Sequence, residues 1–126
     1  MYREREIEYQ IKDSGAKAVM TFDLFYQLYY ANLREKLTSV DHYIVTNMKD
    51  FAAPDFNPEV LGALKAFWDA PKTKIEATID LFESIEKYQP TDIEVEIDAK
   101  EDLALLLYMA GTTAPEPKGV METHCV

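Results

Sequence analysis

Two glycines, two threonine hydroxyls and one lysine stand close together near the end of the chain: Gly111, Thr112 and Thr113, then Lys118 and Gly119. Residues of these types suit a phosphate group. Backbone N–H groups approach an anion closely where side chains are small, hydroxyls donate to its oxygens, and lysine supplies a point charge. The apolar run Leu103-Ala104-Leu105-Leu106-Leu107-Tyr108 leads into this stretch. A run of that length, bounded by turn residues, reads as a buried strand. A helix also fits: Glu101 and Asp102 suit a first turn and Gly111 the position past a last one, which makes residues 102–110 a short buried helix. The spacing is not that of a Walker A loop, because Gly-x-x-x-x-Gly-Lys-Ser/Thr does not fit.

The stretch resembles the phosphate-loop signature of the adenylate-forming (AMP-binding) enzymes, the acyl-CoA synthetases and long-chain fatty-acid–CoA ligases. In outline that signature is Tyr-Thr-Ser-Gly-Thr-Thr-Gly-x-Pro-Lys-Gly-Val-Met-x-Thr-His. Tyr108, Gly111, Thr112, Thr113, Pro117, Lys118, Gly119, Val120, Met121, Thr123 and His124 match it in order. The lead-in from Ile97 to Ala104 is similar to that of these ligases, as are Tyr2 to Gln10 and Asp13 to Lys17. The resemblance implies that residues 1–126 are a partial adenylate-forming domain, part of the large N-terminal domain of an acyl-CoA synthetase-like enzyme, ending just after the phosphate loop. It implies ATP and Mg2+ as cofactors, with an acyl substrate and coenzyme A. The family reaction joins a carboxylate to AMP with release of pyrophosphate, then transfers the acyl group to coenzyme A. By the same resemblance, Gly111, Thr112, Thr113, Lys118 and Gly119 hold ATP phosphates. No catalytic residue and no metal ligand carry over. The family's adenine motif, its ribose contact and the lysine of its small C-terminal domain have no counterpart in these residues.

This sequence departs from the signature at several points. Met109 and Ala110 replace hydroxyl or glycine residues, Ala114 replaces a glycine, and Pro115 or Glu116 is an insertion before Pro117. A lost hydroxyl removes a donor, an alanine resists the positive φ that glycine permits, and a proline removes an N–H. Two readings follow. One is part of an ATP-dependent acyl-CoA ligase, inactive in isolation. The other is a non-catalytic remnant or binding module with weak nucleotide binding at most.

Composition bounds the remainder. A chain of 126 residues with 48% hydrophobic content is one globular domain's worth. The net charge of −10 disfavours nucleic acid and anionic membranes as partners. Cys125 is the single cysteine, so no internal disulfide can form. Together with the charged N-terminus, which is unlike a secretory signal, this suggests a cytoplasmic setting. No apolar run approaches the length of a transmembrane span.

The elements that must position the loop can be read in order. Ile7 and Ile11 share a face at i, i+4, which predicts a helix over 3–13, stopped at Ser14-Gly15. Residues 16–22 predict a strand. Asp23 is expected to cap a helix to about Thr38, where Phe25, Tyr29, Leu33 and Leu37 form an apolar stripe flanked by Leu24 and Leu28. Its aromatic residues read as core, not as a ligand surface. Residues 41–46 predict a strand in which His42 is structural or solvated. Asn57 and Pro58 open a helix in which Trp68 is an anchor. Residues 75–88 predict another helix. Ile93, Val95 and Ile97 alternate with Glu94 and Glu96, which predicts a half-exposed strand. The expected fold is α/β: a small parallel or mixed sheet of residues 16–22, 41–46, 92–97 and 103–108, flanked by helices. Its strand edges, left uncovered, are expected to drive self-association.

Overall fold

The structure is a computed structural model, and it describes residues 4–98, 100–109 and 118–122. It is α/β and divides into two compact units, residues 16–89 and a second formed by residues 1–15 with 90–126.

In the first unit, strands β1 (Ala18–Phe22) and β2 (His42–Thr46) run parallel, with Val19 beside Tyr43 and Thr21 beside Val45. A short strand β3 (Ile79–Asp80) adds in parallel to the far side of β2. Between β1 and β2 the chain is helical but not uniformly α. A single turn α2 (Asp23–Phe25) passes into a π turn at Tyr26–Tyr30, then a 3-10 turn at Ala31–Leu33. A π turn carries an extra residue and rotates every later side chain about the axis. Tyr26, Leu33 and Leu37 therefore form the buried face, while Leu28 is 48% exposed. The aromatic residues of this segment are core, as expected: Tyr26 packs edge-on against Tyr43 with ring centroids 5.5 Å apart. The Arg34 guanidinium closes that layer. It donates to the Tyr26 hydroxyl at 2.7 Å and to the Ala77 carbonyl at 2.8 Å, and lies 4.8 Å from the Tyr43 ring centroid.

The Asn57 side chain accepts from the Glu59 N–H at 3.1 Å with Pro58 at the first helical position, as their types require. The helix they open is broken at Gly62, whose φ of +54° few other residues adopt, and resumes as α3 (Lys65–Asp69). Trp68 anchors this segment on Phe56 at 4.8 Å between centroids. The helix expected over 75–88 is shorter. Ile79 and Asp80 join the sheet, and the Asp80 carboxylate accepts from the Glu83 N–H at 3.0 Å to start α4 (Leu81–Lys87). A β-branched residue can serve strand or helix, and the open side of β2 decided for strand.

In the second unit, α1 (Glu4–Ser14) buries Ile7 and Ile11 and ends at Gly15 with φ +65°, the left-handed conformation that terminates helices. Strand β4 (Leu105–Met109) pairs antiparallel with β5 (Lys118–Glu122). The apolar run is therefore a strand and not a helix, but it lies in a two-stranded sheet of its own, separate from β1-β2-β3. Residues 92–97 correct the expectation of a strand. They form no ladder, and Ile93, Val95 and Ile97 are 76, 68 and 69% exposed. Alternation states which face a strand would bury but does not supply a neighbour, and a strand without a ladder leaves its backbone to water. This stretch ends in a turn in which the Asp98 N–H donates to the Asp102 carboxylate at 2.8 Å and the Asp98 carboxylate accepts from the Lys100 N–H at 2.9 Å.

Candidate nucleotide-phosphate loop

The ladder between β4 and β5 brackets the phosphate-loop motif. Met109 stands opposite Lys118, and Tyr108 opposite Gly119. Opposed residues of an antiparallel pair have Cα atoms about 4.5–5.5 Å apart, so Met109 and Lys118 lie side by side at the end of the ladder. Gly111, Thr112 and Thr113 lie outside the described residues. Lys118 and Gly119, expected to close the loop, are the first two residues of β5. The site residues the structure does place are thus set in a regular ladder, where their backbone positions are fixed by hydrogen bonds to β4.

β4 is held from its other side of the motif by α1. The Tyr108 hydroxyl donates to Asp13 Oδ2 at 2.7 Å, and the Tyr108 ring meets Tyr9 edge-on, centroids 6.4 Å apart. Desolvation, with the Asp13 carboxylate accepting from it, pushes the Tyr108 phenol up to about 12. The phenol stays protonated at neutral pH and keeps its hydrogen bond to Asp13. In sequence Tyr108 ends the apolar run and matches the motif, and nothing in local spacing pairs it with a residue so distant in the chain.

A second polar group, missed from sequence, lies in the other unit, where β1, β2 and β3 end. Asp23 and Asn47 are buried. Asp23 was expected to cap a helix; its carboxylate instead accepts from the Asn47 amide at 3.2 and 3.0 Å, the Thr73 N–H at 3.0 Å and the adjacent Leu24 N–H at 2.8 Å. Beside it Lys72 bridges Asp50 at 3.0 Å and Asp80 at 2.9 Å. Burial pushes the Asp50 carboxyl up, but the Asn47 N–H, the Lys72 ammonium and the Thr46 hydroxyl together hold it below the usual range. Burial acts likewise on Asp80, and is outweighed by the Glu83 N–H and Lys72. The C-terminal ends of parallel strands are a common place for ligands. Here, however, every carboxylate in the group is occupied by a neighbour, and the group serves as a clasp between segments. His42 is exposed, as a solvated histidine should be. Among the described residues no group of three or more His, Cys, Asp or Glu is placed to hold a metal, and no helix is long and apolar enough to cross a membrane.

The described part of the motif is thus an antiparallel pair in which Lys118 and Gly119 open the return strand. Over residues 1–125 the chain matches the AMP-binding enzyme family, and it belongs to that family. It is similar to the long-chain-fatty-acid–CoA ligases of Bacillus subtilis, at 35% identity, and Haemophilus influenzae, at 36%. In each case the match takes in 98% of this chain and 22% of the relative, so the chain spans about a fifth of the length of these curated relatives. Among solved structures, the anthranilate CoA ligase AuaEII in complex with anthranoyl-AMP superimposes with a TM-score of 0.66 at 22% identity, over 96% of this chain and 18% of that one. That likeness establishes the fold.

Proposed function

We propose that this chain is the phosphate-loop segment of an ATP-dependent acid–CoA ligase, and that Gly111, Thr112, Thr113, Lys118 and Gly119 hold ATP phosphates. The observation that carries the reading is the ladder that closes residues 110–117 between Met109 and Lys118. A loop pinned at its root can present N–H groups and hydroxyls to an anion without first ordering its ends. The activity of the relatives, long-chain-fatty-acid–CoA ligases, supports a long-chain fatty acid and coenzyme A as the remaining substrates of the whole enzyme, in a cytoplasmic setting. Magnesium would arrive on the ATP phosphates, since it usually retains water and few protein ligands.

By itself the chain is a nucleotide binder and not a catalyst. Adenylation requires the carboxylate and the α-phosphate to be aligned within about 3–3.5 Å, with charge stabilised at the transferring group. The chain offers one wall of such a site. Met109, Ala110, Ala114 and the insertion at Pro115 or Glu116 weaken that wall, which supports the reading as a remnant with residual binding. ATP affinity should lie in the millimolar range, about −4 kcal/mol. The test is pyrophosphate exchange with ATP, magnesium and a panel of fatty and aromatic acids on the purified chain, beside ATP titration by NMR. Binding that weakens in Lys118→Ala, without exchange, is the expected result. Exchange above background that disappears in Lys118→Ala would overturn the assignment of inactivity, and the absence of any ATP-dependent shift would overturn the assignment of binding.

A further inference from the structure

We propose that Asp13 is a positioning residue for the phosphate loop: from the last turn of α1 it holds Tyr108, and through Tyr108 the root of the β4–β5 hairpin. The inference rests on the proposed binding role of residues 111–119 and extends it to a residue distant in sequence that touches no nucleotide.

Three observations carry it. The first is the contact itself, Tyr108 hydroxyl to Asp13 Oδ2 at 2.7 Å, reinforced by the edge-on packing of Tyr9 on Tyr108. Both Tyr9 and Asp13 belong to α1, one turn apart, so the ring and the hydroxyl of Tyr108 are fixed by a single rigid element. The second is local conflict. An acid in the last turn of a helix faces the negative end of the dipole and is unfavourable there, whereas Lys12 beside it is favourable. Local propensity gives no reason for Asp13 at this position, and the hydrogen bond from Tyr108 does. The third is register. Tyr108 is the penultimate residue of β4, one position before the Met109–Lys118 pair that closes the loop, and the residue opposite it is Gly119. Glycine offers no side chain for a cross-strand contact, so at this position the strand pair gains its lateral hold from α1. Loss of that hold would let the end of the ladder fray at the Met109–Lys118 pair.

The experiment compares the full chain with Asp13→Ala, Asp13→Asn, Tyr108→Phe and the Asp13→Ala/Tyr108→Phe double variant. Two quantities are read by NMR: ATP affinity, and amide hydrogen exchange in β4–β5 against that in β1–β2. Asp13→Ala and Tyr108→Phe should each weaken ATP binding about three- to tenfold and speed exchange at Met109 and Gly119, with exchange in β1–β2 unchanged. The double variant should be no worse than either single one, and Asp13→Asn, which keeps an acceptor, should retain most of the affinity. Single variants that bind ATP as the parent chain does would overturn the proposal, as would losses that simply add. If the parent chain binds no ATP, the proposed function fails, and exchange alone decides the tether: selective acceleration in β4–β5 supports it, and unchanged exchange overturns it.

Discussion

Asn47 and Asp23 meet where β1 and β2 end: the Asn47 side-chain amide donates to both carboxylate oxygens of Asp23, at 3.2 and 3.0 Å, and both residues are 4% exposed. Asn47, with the Thr73 and Leu24 N–H groups, replaces water around the Asp23 carboxylate. Removing Asn47 or Asp23 leaves a buried polar group without its partner, which costs about 1–3 kcal/mol and more for a charged group. Asn47→Ala should therefore lower stability by about 2–3 kcal/mol, read as a fall in the urea midpoint at constant slope. The double variant Asp23→Leu/Asn47→Leu should lose less than the sum of the single changes, because it leaves no uncompensated charge.

The Lys72 bridge between Asp50 and Asp80 sets a pH window. The folded state depresses both carboxyls, so their stabilisation is present above the usual carboxylate range and is lost as pH falls through their lowered values. Lys72 is raised, chiefly by its hydrogen bond to Asp80, so its contribution is present below the ordinary lysine value and is lost as pH rises through the raised one. Thermal unfolding should show a plateau between these limits. Lys72→Met should flatten the acid limb, because Asp50 and Asp80 then lose a partner that favours their ionised forms. An unchanged acid limb would mean that backbone N–H groups alone hold the two carboxylates.

Among the described residues, Leu33 and Leu37 are the largest fully buried side chains, at 1% exposure each. Leu33→Ala should cost about 2–5 kcal/mol, a large share of the total for a chain of this size. Loss of the cooperative transition in circular dichroism would be the upper end of this expectation, and a cost below 1 kcal/mol would show that the π turn collapses around the cavity.

Ala77 adopts φ +56° while its carbonyl accepts from Arg34. The left-handed conformation costs about 1–2 kcal/mol for a residue with a Cβ. Ala77→Gly relieves that strain but costs about 0.5–1 kcal/mol through unfolded-state entropy, for a net gain of up to about 1.5 kcal/mol. A small rise in Tm is expected. A fall would indicate that the Ala77 methyl packs more favourably than the strain costs.

Among the described residues β1 pairs on one side only, and Met20 and Phe51, at 66 and 61% exposure, border a shallow apolar cleft with Phe22 and Phe25. An open strand edge beside apolar surface favours association. Sedimentation should show concentration-dependent self-association, reduced in Met20→Lys. A monomer at all concentrations with a concentration-independent melt would contradict this.

The elements legible in the sequence are those whose information is local. Ile7 and Ile11 at i, i+4 before Gly15, Asn57-Pro58 as a helix start, and the β-branched strand at His42–Thr46 each carry their geometry in adjacent residues, and the structure agrees. The ordered matches from Tyr108 to His124 identified the family in the same way, because a motif is a local object. Decisions that needed a partner could not be read. Ile93, Val95 and Ile97 had the alternation of a strand but no ladder to join, whereas Ile79 and Asp80 had a weaker pattern and found the open side of β2. The apolar run at Leu103–Tyr108 was legible as a strand and forms one at Leu105–Met109, but its partner Lys118–Glu122 lay inside what looked like loop. Asp23 had the type of a helix cap and became the centre of a buried hydrogen-bond group with Asn47 and Thr73. Composition and spacing specify what a segment can do alone. Which backbone donors and buried carboxylates find partners is set only when distant segments meet, since the cost of leaving them unpaired exists only once water has been excluded.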